Sequence, residues 1–578
     1  MIKNTACCSS APVTVQAGLR ARAAAILISA SFIFSHAIPA IAQDQSPAVE
    51  AAPDPQSVAL GKKMYMEGVL PSGEIMTATV RGDIKLTGEQ VVCGACHRRS
   101  GMGASEGQDV VPAVTGDILY QPLRLPTIKP PLPPELRAAY TDETLKRAIR
   151  DGIGADGEAF SPLMPRYPLS DAELDTLIAF LKTLNTDPDP GVTEKQIHFA
   201  TVIADSVEPG QRKALVDVLN TFVEQKNVET RNESQRAEHA PWHKHWTFAP
   251  YRKWKLHVWE LQGPQESWPQ QLDAHYRAQP VFALLSGLAP GSWQPVHDFC
   301  EGFEIPCLFP ITDLPVIDEQ DFYNVYFSKG MTVEGEAIAQ NLADDGLLNT
   351  RVIQVYRAGD ARGTVAAAAL QSALEARGGR PEDFALTDMD AESVNDFWSS
   401  VADQGRGAVM VLWLSEADIR TFWQRPGADA APGRIYLSTT LYGSDLDQVP
   451  VSAREQLRFV HPYEMPDKLN RLLMRSTGWL RSRRIYAPEE KQVQADGYFA
   501  LKVAGGALKG IQGYFDREFF LEGIEHMVDN ANFTSVYPRI SLAPNQRFVS
   551  KGCYIAQLEG GEKARLRAVS EWLIPGAR

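Results

Sequence analysis

Five consecutive residues, Cys93-Gly94-Ala95-Cys96-His97, combine residue types that do chemistry at a spacing that narrows which chemistry it is. Two thiols separated by two residues reach one edge of a flat ligand, and the histidine that follows falls under its centre. This is the attachment pattern of a c-type haem, in which each thiol adds to one vinyl group and the imidazole ligates the iron. A redox dithiol or half of a zinc site would begin with the same two cysteines. A zinc site wants a second ligand pair at matching spacing, and the chain holds no other Cys-x-x-Cys.

The elements around these residues are short. Ser57–Glu67 reads as a helix with Leu60, Met64 and Tyr65 apolar, and Gly68–Gln90 as a loop of undefined shape. Arg98–Gln108 is rich in glycine, as chain wrapping a haem edge would be. Pro122–Pro134 is proline-dense and reads as extended. Thr141 caps a helix running to about Arg150, with Leu145, Ala148 and Ile149 on one face. Ser170-Asp171-Ala172-Glu173 is a capping box opening a helix with Leu174, Leu177, Ile178 and Leu181 on one stripe.

Between those two helices lies Ser161-Pro162-Leu163-Met164-Pro165-Arg166-Tyr167. With the Cys-x-x-Cys-His motif and the capped terminal helix, this loop makes residues 57–187 resemble the class I cytochromes c. The resemblance implies an all-α domain, one covalently attached haem c on Cys93 and Cys96, His97 as proximal iron ligand and Met164 as the sixth. Met102 is a rival for the sixth position, but it lies too close to His97 along the chain to cross easily to the opposite haem face. Iron held by His and Met has no open coordination site, so it passes single electrons and does not activate substrate. The expectation is an electron carrier and binding protein without a catalytic site of its own.

After the turn-rich stretch 188–194, the pattern changes to strands alternating with helices. Strands are expected near Ile197–Ile203, Leu256–Leu261, Val281–Leu285, Ile305–Phe309, Asn324–Phe327, Arg351–Tyr356, Ala408–Trp413 and Arg434–Leu437. Helices are expected near Gln211–Lys226, Trp268–Tyr276, Trp293–Gly302, Thr332–Leu342 and Arg362–Ala376. Such alternation implies parallel sheets covered on both faces. The runs Val281–Gly287 and Ile305–Pro310, the strand–helix pairs after Phe322, and the closing Tyr537-Pro538-Arg539 and Asn545–Phe548 make residues 195–560 resemble the type I periplasmic binding proteins. That resemblance implies two lobes with a ligand cleft between them, and it leaves 561–578 as a tail.

Parallel sheets bind ligands beyond the carboxyl ends of their strands. Here those ends are Ser286 and Gly287, Thr312 and Asp313, Trp413 and Ser415, and Ser438 and Thr439. Their hydroxyls and backbone N–H groups suit a carboxylate, and Trp413 would cover an apolar moiety. His239, His243 and His245 form a compact run that suits zinc or copper, or else an aromatic surface loop. Cys300 and Cys307 are a candidate disulfide in an oxidising compartment. Cys553 reads as a buried core residue.

Residues 1–42 read as a secretory signal: basic Lys3, Arg20 and Arg22, an apolar core Ala23–Phe34, and the cleavage pattern Ala40-Ile41-Ala42. A flexible leader, 43–56, follows. The 578 residues carry 57 Lys and Arg against 71 Asp and Glu, a net charge of −14. Without the signal the charge is about −17, which excludes nucleic acid and anionic lipid as partners. No later stretch is apolar enough to span a bilayer. The expectation is a periplasmic monohaem cytochrome that transfers single electrons, fused to a solute- or partner-binding module and serving a redox partner such as a periplasmic dehydrogenase or another cytochrome. The alternative is an extracytoplasmic sensor of a small, amino-acid-like organic solute with a regulatory haem.

Overall fold

The computed structural model describes residues 53–106, 109–124, 135–230, 252–424, 433–443, 445–511, 514–530, 535–543, 546–560 and 563–576. The signal segment, most of the leader, the His239, His243 and His245 run and Asn545 fall outside them. Pro53–Arg578 forms one compact unit.

The N-terminal part is built on two crossing helices, Pro55–Glu67 and Asp171–Leu181. They approach so closely at Gly61 that a Cβ there would lie 2.3 Å from the Thr176 carbonyl oxygen. Tyr65 packs on Phe180, with ring centroids 5.3 Å apart. Both expected caps are present: Thr141 opens the helix Asp142–Asp151 and Ser170 opens Asp171–Leu181, each with its third helical residue bonding back to the cap. The Gly68–Gln90 stretch, left without shape by the sequence, contains a hairpin of β1 (Thr77–Val80) and β2 (Ile84–Thr87). Two more two-stranded ribbons, β3 (Ala104–Glu106) with β4 (Asp109–Val111) and β5 (Leu123–Arg124) with β6 (Glu135–Arg137), accompany the helices. An apolar core of Met64, Tyr65, Met76, Leu145, Leu174, Leu177 and their neighbours joins these pieces.

The rest of the chain holds two sheets. The first has five parallel strands: β7 (Gln196–Ala204), β8 (Lys253–Leu261), β9 (Ala283–Leu288), β10 (Cys307–Leu308) and β11 (Asn324–Val325), in the order 11-10-9-7-8. Phe199, Leu284, Phe282 and Leu308 are wholly buried in it. Sheets covered on both faces need such continuous apolar strands. The helices Lys491–Gly510 and Arg517–Asn530, late in the sequence, return to cover this sheet and share its core.

The second sheet has seven strands: β12 (Val352–Arg357), β13 (Glu382–Leu386), β14 (Val409–Trp413), β15 (Arg434–Ser438), β16 (Leu457–His461), β17 (Tyr554–Glu559) and β18 (Arg565–Ala568), in the order 13-12-14-15-16-17-18. β12 to β16 are parallel; β17 and β18 close it antiparallel. Separate apolar cores fill its two faces. Residues beyond 560, expected to be a tail, instead supply β18, and Leu573 bridges back to Cys553. The alternating, mostly polar Arg565–Ala568 makes an edge strand too short to stand out in the sequence. Cys553 is buried, as expected. The candidate disulfide pair, Cys300 and Cys307, is present as two buried free thiols whose sulfurs are in hydrogen-bond contact.

The turn-rich stretch before β7 is pinned rather than loose. Asp189 accepts the Arg517 N–H at 2.7 Å. The buried Arg517 side chain donates to the carbonyls of Pro190, Val281, Phe282, Phe303 and Glu304.

Candidate functional site

Cys93–His97 forms one short helical turn. Two buried tyrosines hold its ends: Tyr167 donates its hydroxyl to the Val91 carbonyl at 2.8 Å, and Tyr65 donates to the Arg98 carbonyl at 2.7 Å. Arg98 leaves the turn with φ +67°, a backbone region that non-glycine residues rarely take. Behind it, Gly103 (φ +75°) donates to the His97 carbonyl at 2.9 Å. A Cβ on Gly103 would lie 2.1 Å from the Val111 oxygen, so only glycine lets the β3–β4 ribbon fold over this close.

That ribbon brings the Pro112 carbonyl to His97, whose Nδ1 lies 2.9 Å from it. A carbonyl oxygen only accepts, so Nδ1 carries the proton and Nε2 carries the lone pair. Burial also holds the His97 pKa below its usual value, which favours the neutral ring. A neutral imidazole with its Nδ1–H fixed by the chain is the form that ligates iron.

The thiols fit the same group. Both Cys93 and Cys96 are free, and Cys96 is exposed. Burial pushes the Cys93 thiol up to about 12, the opposite of the depressed value that activates a redox dithiol. Zinc chelation would gather the three donor atoms at one point. Among the described residues, the group of three such donors within 4.8 Å is His297, Glu301 and Asp321, elsewhere in the fold. There the Glu301 carboxylate already accepts the N–H groups of Phe322, Tyr323 and Asn324.

Met164 sits half-buried in its loop. The unforeseen hairpin explains how that loop is held. Thr79 and Arg166 exchange backbone hydrogen bonds at 3.0 and 2.9 Å, and Arg81 donates to the Pro162 carbonyl at 3.0 Å. Arg166 also donates through Nη1 to the Met164 carbonyl. Met102, the rival, has its own N–H on Ser100 Oγ at 3.2 Å, within the turn that leaves His97.

The expected cleft residues divide into two sets. Trp413 is a core residue rather than a cover over a ligand, because it is fully buried with Nε1 donating to Gln354 Oε1 at 3.1 Å. Ser415 caps the helix Glu416–Gln424 through Asp418. Thr312 Oγ1 accepts the Leu314 N–H. Gly287 is crowded by Trp293.

The other set is more suggestive of a site. Ser286 is fully buried at φ +56° with no partner for its hydroxyl among the described residues. Asp313 lies 3.6 Å from Arg362, and burial raises its pKa. Thr439 Oγ1 meets His461 Nδ1 at 2.9 Å, and Ser438 caps the turn that follows β15. Around them stand groups the sequence reading did not single out. Glu334 is buried, accepts from Thr440 Oγ1 at 2.5 Å, and is pushed up to about 8 by its burial. Asp496 is buried, and its Oδ1 has no partner among the described residues. Tyr463 packs against both His461 and Tyr537. Glu334 did leave a trace: with Met331, Ile338 and Leu342 it lies on the buried stripe of its helix, where an acid is out of place.

One family model and several solved structures are similar to parts of the chain. Residues 86–185 match the family model of cytochrome c. No curated protein matches the chain in sequence. Among solved structures, a fatty acid ABC transporter substrate-binding protein from Thermomonospora curvata is similar at 16% identity, over 68% of this chain and 95% of that one, with a TM-score of 0.45. A leucine-binding protein from Thermotoga maritima is similar at 14% identity, over 64% and 98%, with a TM-score of 0.46. No described helix is long and apolar enough to cross a membrane. Residues 86–185 thus match the family model of cytochrome c, and the part that follows is an α/β unit of two sheets.

Proposed function

We propose that this protein is a periplasmic monohaem cytochrome that transfers single electrons, fused to a module that binds a small solute or a redox partner such as a periplasmic dehydrogenase. One haem c, joined through thioethers to Cys93 and Cys96, supplies a single one-electron couple. The chain does the rest. His97 offers Nε2 in a fixed ring plane because Pro112 holds Nδ1. Met164 is offered from a loop braced by β1. Both supports bear on backbone groups, the first through the His97 ring and the second through the loop's own backbone, which would keep reorganisation on electron transfer small.

The observation that carries this reading is the His97 Nδ1 to Pro112 carbonyl contact of 2.9 Å. It leaves the Nε2 lone pair free and aimed by the chain, which supports the reading of His97 as an iron ligand. Its test is the ferric spectrum of the matured protein and of Met164→Ala. The parent should show the sulfur-to-iron charge-transfer absorption and resist cyanide. The variant should lose the absorption, bind cyanide at once and drop in reduction potential. A parent that binds cyanide at once would refute the closed coordination.

The buried oxygens Ser286 Oγ, Glu334 Oε2 and Asp496 Oδ1, without hydrogen-bond partners among the described residues, favour a second reading for the larger part, as a receptor for a small organic solute with the haem regulatory. Mass spectrometry of ligand released from the purified protein distinguishes the two. A stoichiometric solute supports the receptor; an empty protein that accepts electrons from a dehydrogenase supports the carrier.

A further inference from the structure

The chain leaving His97 packs directly against the larger part. Arg99 Nε donates to Glu518 Oε1 at 2.6 Å, and its guanidinium lies 4.5 Å from the centre of the Phe322 ring. Tyr323 donates its hydroxyl to the same Glu518 oxygen at 2.8 Å. Glu518 is therefore well compensated. Glu522, one turn further along the helix Arg517–Asn530, is not. It is 8% exposed, and both of its partners come from one neutral residue of the haem loop. Oε1 accepts the Ser100 N–H at 3.0 Å, and Oε2 accepts the Ser100 hydroxyl at 2.6 Å.

The charged and titratable groups around Glu522 do not neutralise it. Glu518 and Glu525 on its own helix repel it, and His526 is exposed. Arg99 on the haem loop is engaged by Glu518, and Arg547 from the closing segment is engaged by Glu525. Tyr65, on the first helix, is a buried phenol raised above its usual range. Lys502 and Lys509 on the neighbouring helix Lys491–Gly510 are exposed. A buried carboxyl in such surroundings favours its protonated form, and its pKa is raised to about 8.

We propose that Glu522 takes up and releases a proton in step with the one-electron change at the haem, coupling the reduction potential to pH through the Ser100 contact. This rests on the cytochrome reading above. Ser100 follows His97 by three residues, so the chain between them spans at most about 11 Å. Across a poorly screened interior, the added positive charge of an oxidised iron held by His97 would favour the carboxylate. Reduction by a one-electron donor removes that charge, and the carboxylate then gains one proton from solvent. Reoxidation returns both the electron and the proton. The potential falls as pH rises between the proton affinities of the two states. A tenfold difference between them corresponds to about 59 mV for one electron.

The test is a spectroelectrochemical titration of the holoprotein from pH 5.5 to 9.5, run on the parent, Glu522→Gln and Ser100→Ala. The parent potential should fall through the neutral-to-alkaline range, and Glu522→Gln should remove that fall while leaving the visible spectrum unchanged. Ser100→Ala removes a hydrogen bond to the charged form, so its fall should move to higher pH. A haem-loaded Glu522→Gln protein that keeps the parent's slope overturns the coupling, as does a parent whose potential is flat. A chain without haem overturns the coupling together with the cytochrome reading, and so is told apart from a loaded chain with no slope.

Discussion

At Cys93 and Cys96, a single atom decides how a prosthetic group is held. Replacing either cysteine by alanine should leave one thioether and one intact vinyl group. The alkaline pyridine spectrum then shifts to the red, while the ferric ligands stay in place. Replacing His97 by alanine should abolish stable haem incorporation, read as loss of the Soret band. The proposal for these residues comes from the sequence alone, because thioether attachment would fix their spacing within one turn of chain. Met164 is proposed only through the Met-Pro loop that carries the cytochrome resemblance. Trp413 was misjudged because a strand end in the sequence does not reveal which face a side chain takes, and this one turns into the core to reach Gln354. Ser100 and Glu522 are hundreds of positions apart, and nothing local in either marks their contact.

The elements around the turn act as braces, and their strengths can be measured one by one. Tyr167→Phe leaves the buried Val91 carbonyl without its donor and should cost about 1–3 kcal/mol in denaturant unfolding. Ser170→Ala removes the cap of the helix Asp171–Leu181 and should cost about 1 kcal/mol. If Tyr167→Phe unfolds at the parent midpoint, the brace is dispensable. The caps were readable because a Ser or Thr followed by its partner three residues on is a local signal. The β1–β2 hairpin was not read, although Thr77-Ala78-Thr79-Val80, Arg81-Gly82-Asp83 and Ile84-Lys85-Leu86-Thr87 alternate around a glycine turn. Its strands are four residues long and, apart from Ala78, exposed or half-buried, so their hydrophobic contrast is weak. The helices after residue 460 were missed for another reason: they return across the sequence to cover the first sheet, and their apolar faces give no hint of which sheet that is.

Over the whole molecule, the fold is stabilised by the placing of buried charge as well as by apolar cores. Arg517 ties the stretch before β7 to both sides of the first sheet through five carbonyls, and Arg517→Ala should cost about 3 kcal/mol or more. Glu334 and Glu522 are raised to about 8 and Asp516 to about 7 by burial. A carboxyl raised on folding contributes stability that is complete below its unfolded value and is lost as pH rises through the folded one. His461, lowered to about 4, acts in the other direction, but only below its unfolded value near 6.5. The melting temperature should therefore fall between about pH 6.5 and 8.5, and Glu522→Gln should lessen that fall. A melting temperature that climbs over this window would contradict the placement of these acids. The alternation of strands and helices announced both parallel sheets in the sequence. The β17–β18 closure did not show, because short polar edge strands carry little pattern.

All of this depends on the cytochrome part holding one haem that cannot be washed away. The direct measurement is alkaline pyridine haemochrome quantitation on protein from a host able to mature c-type cytochromes, before and after extraction with acidified acetone. One haem per chain that stays with the polypeptide is the predicted result; no haem, or haem that leaves with the solvent, would contradict it.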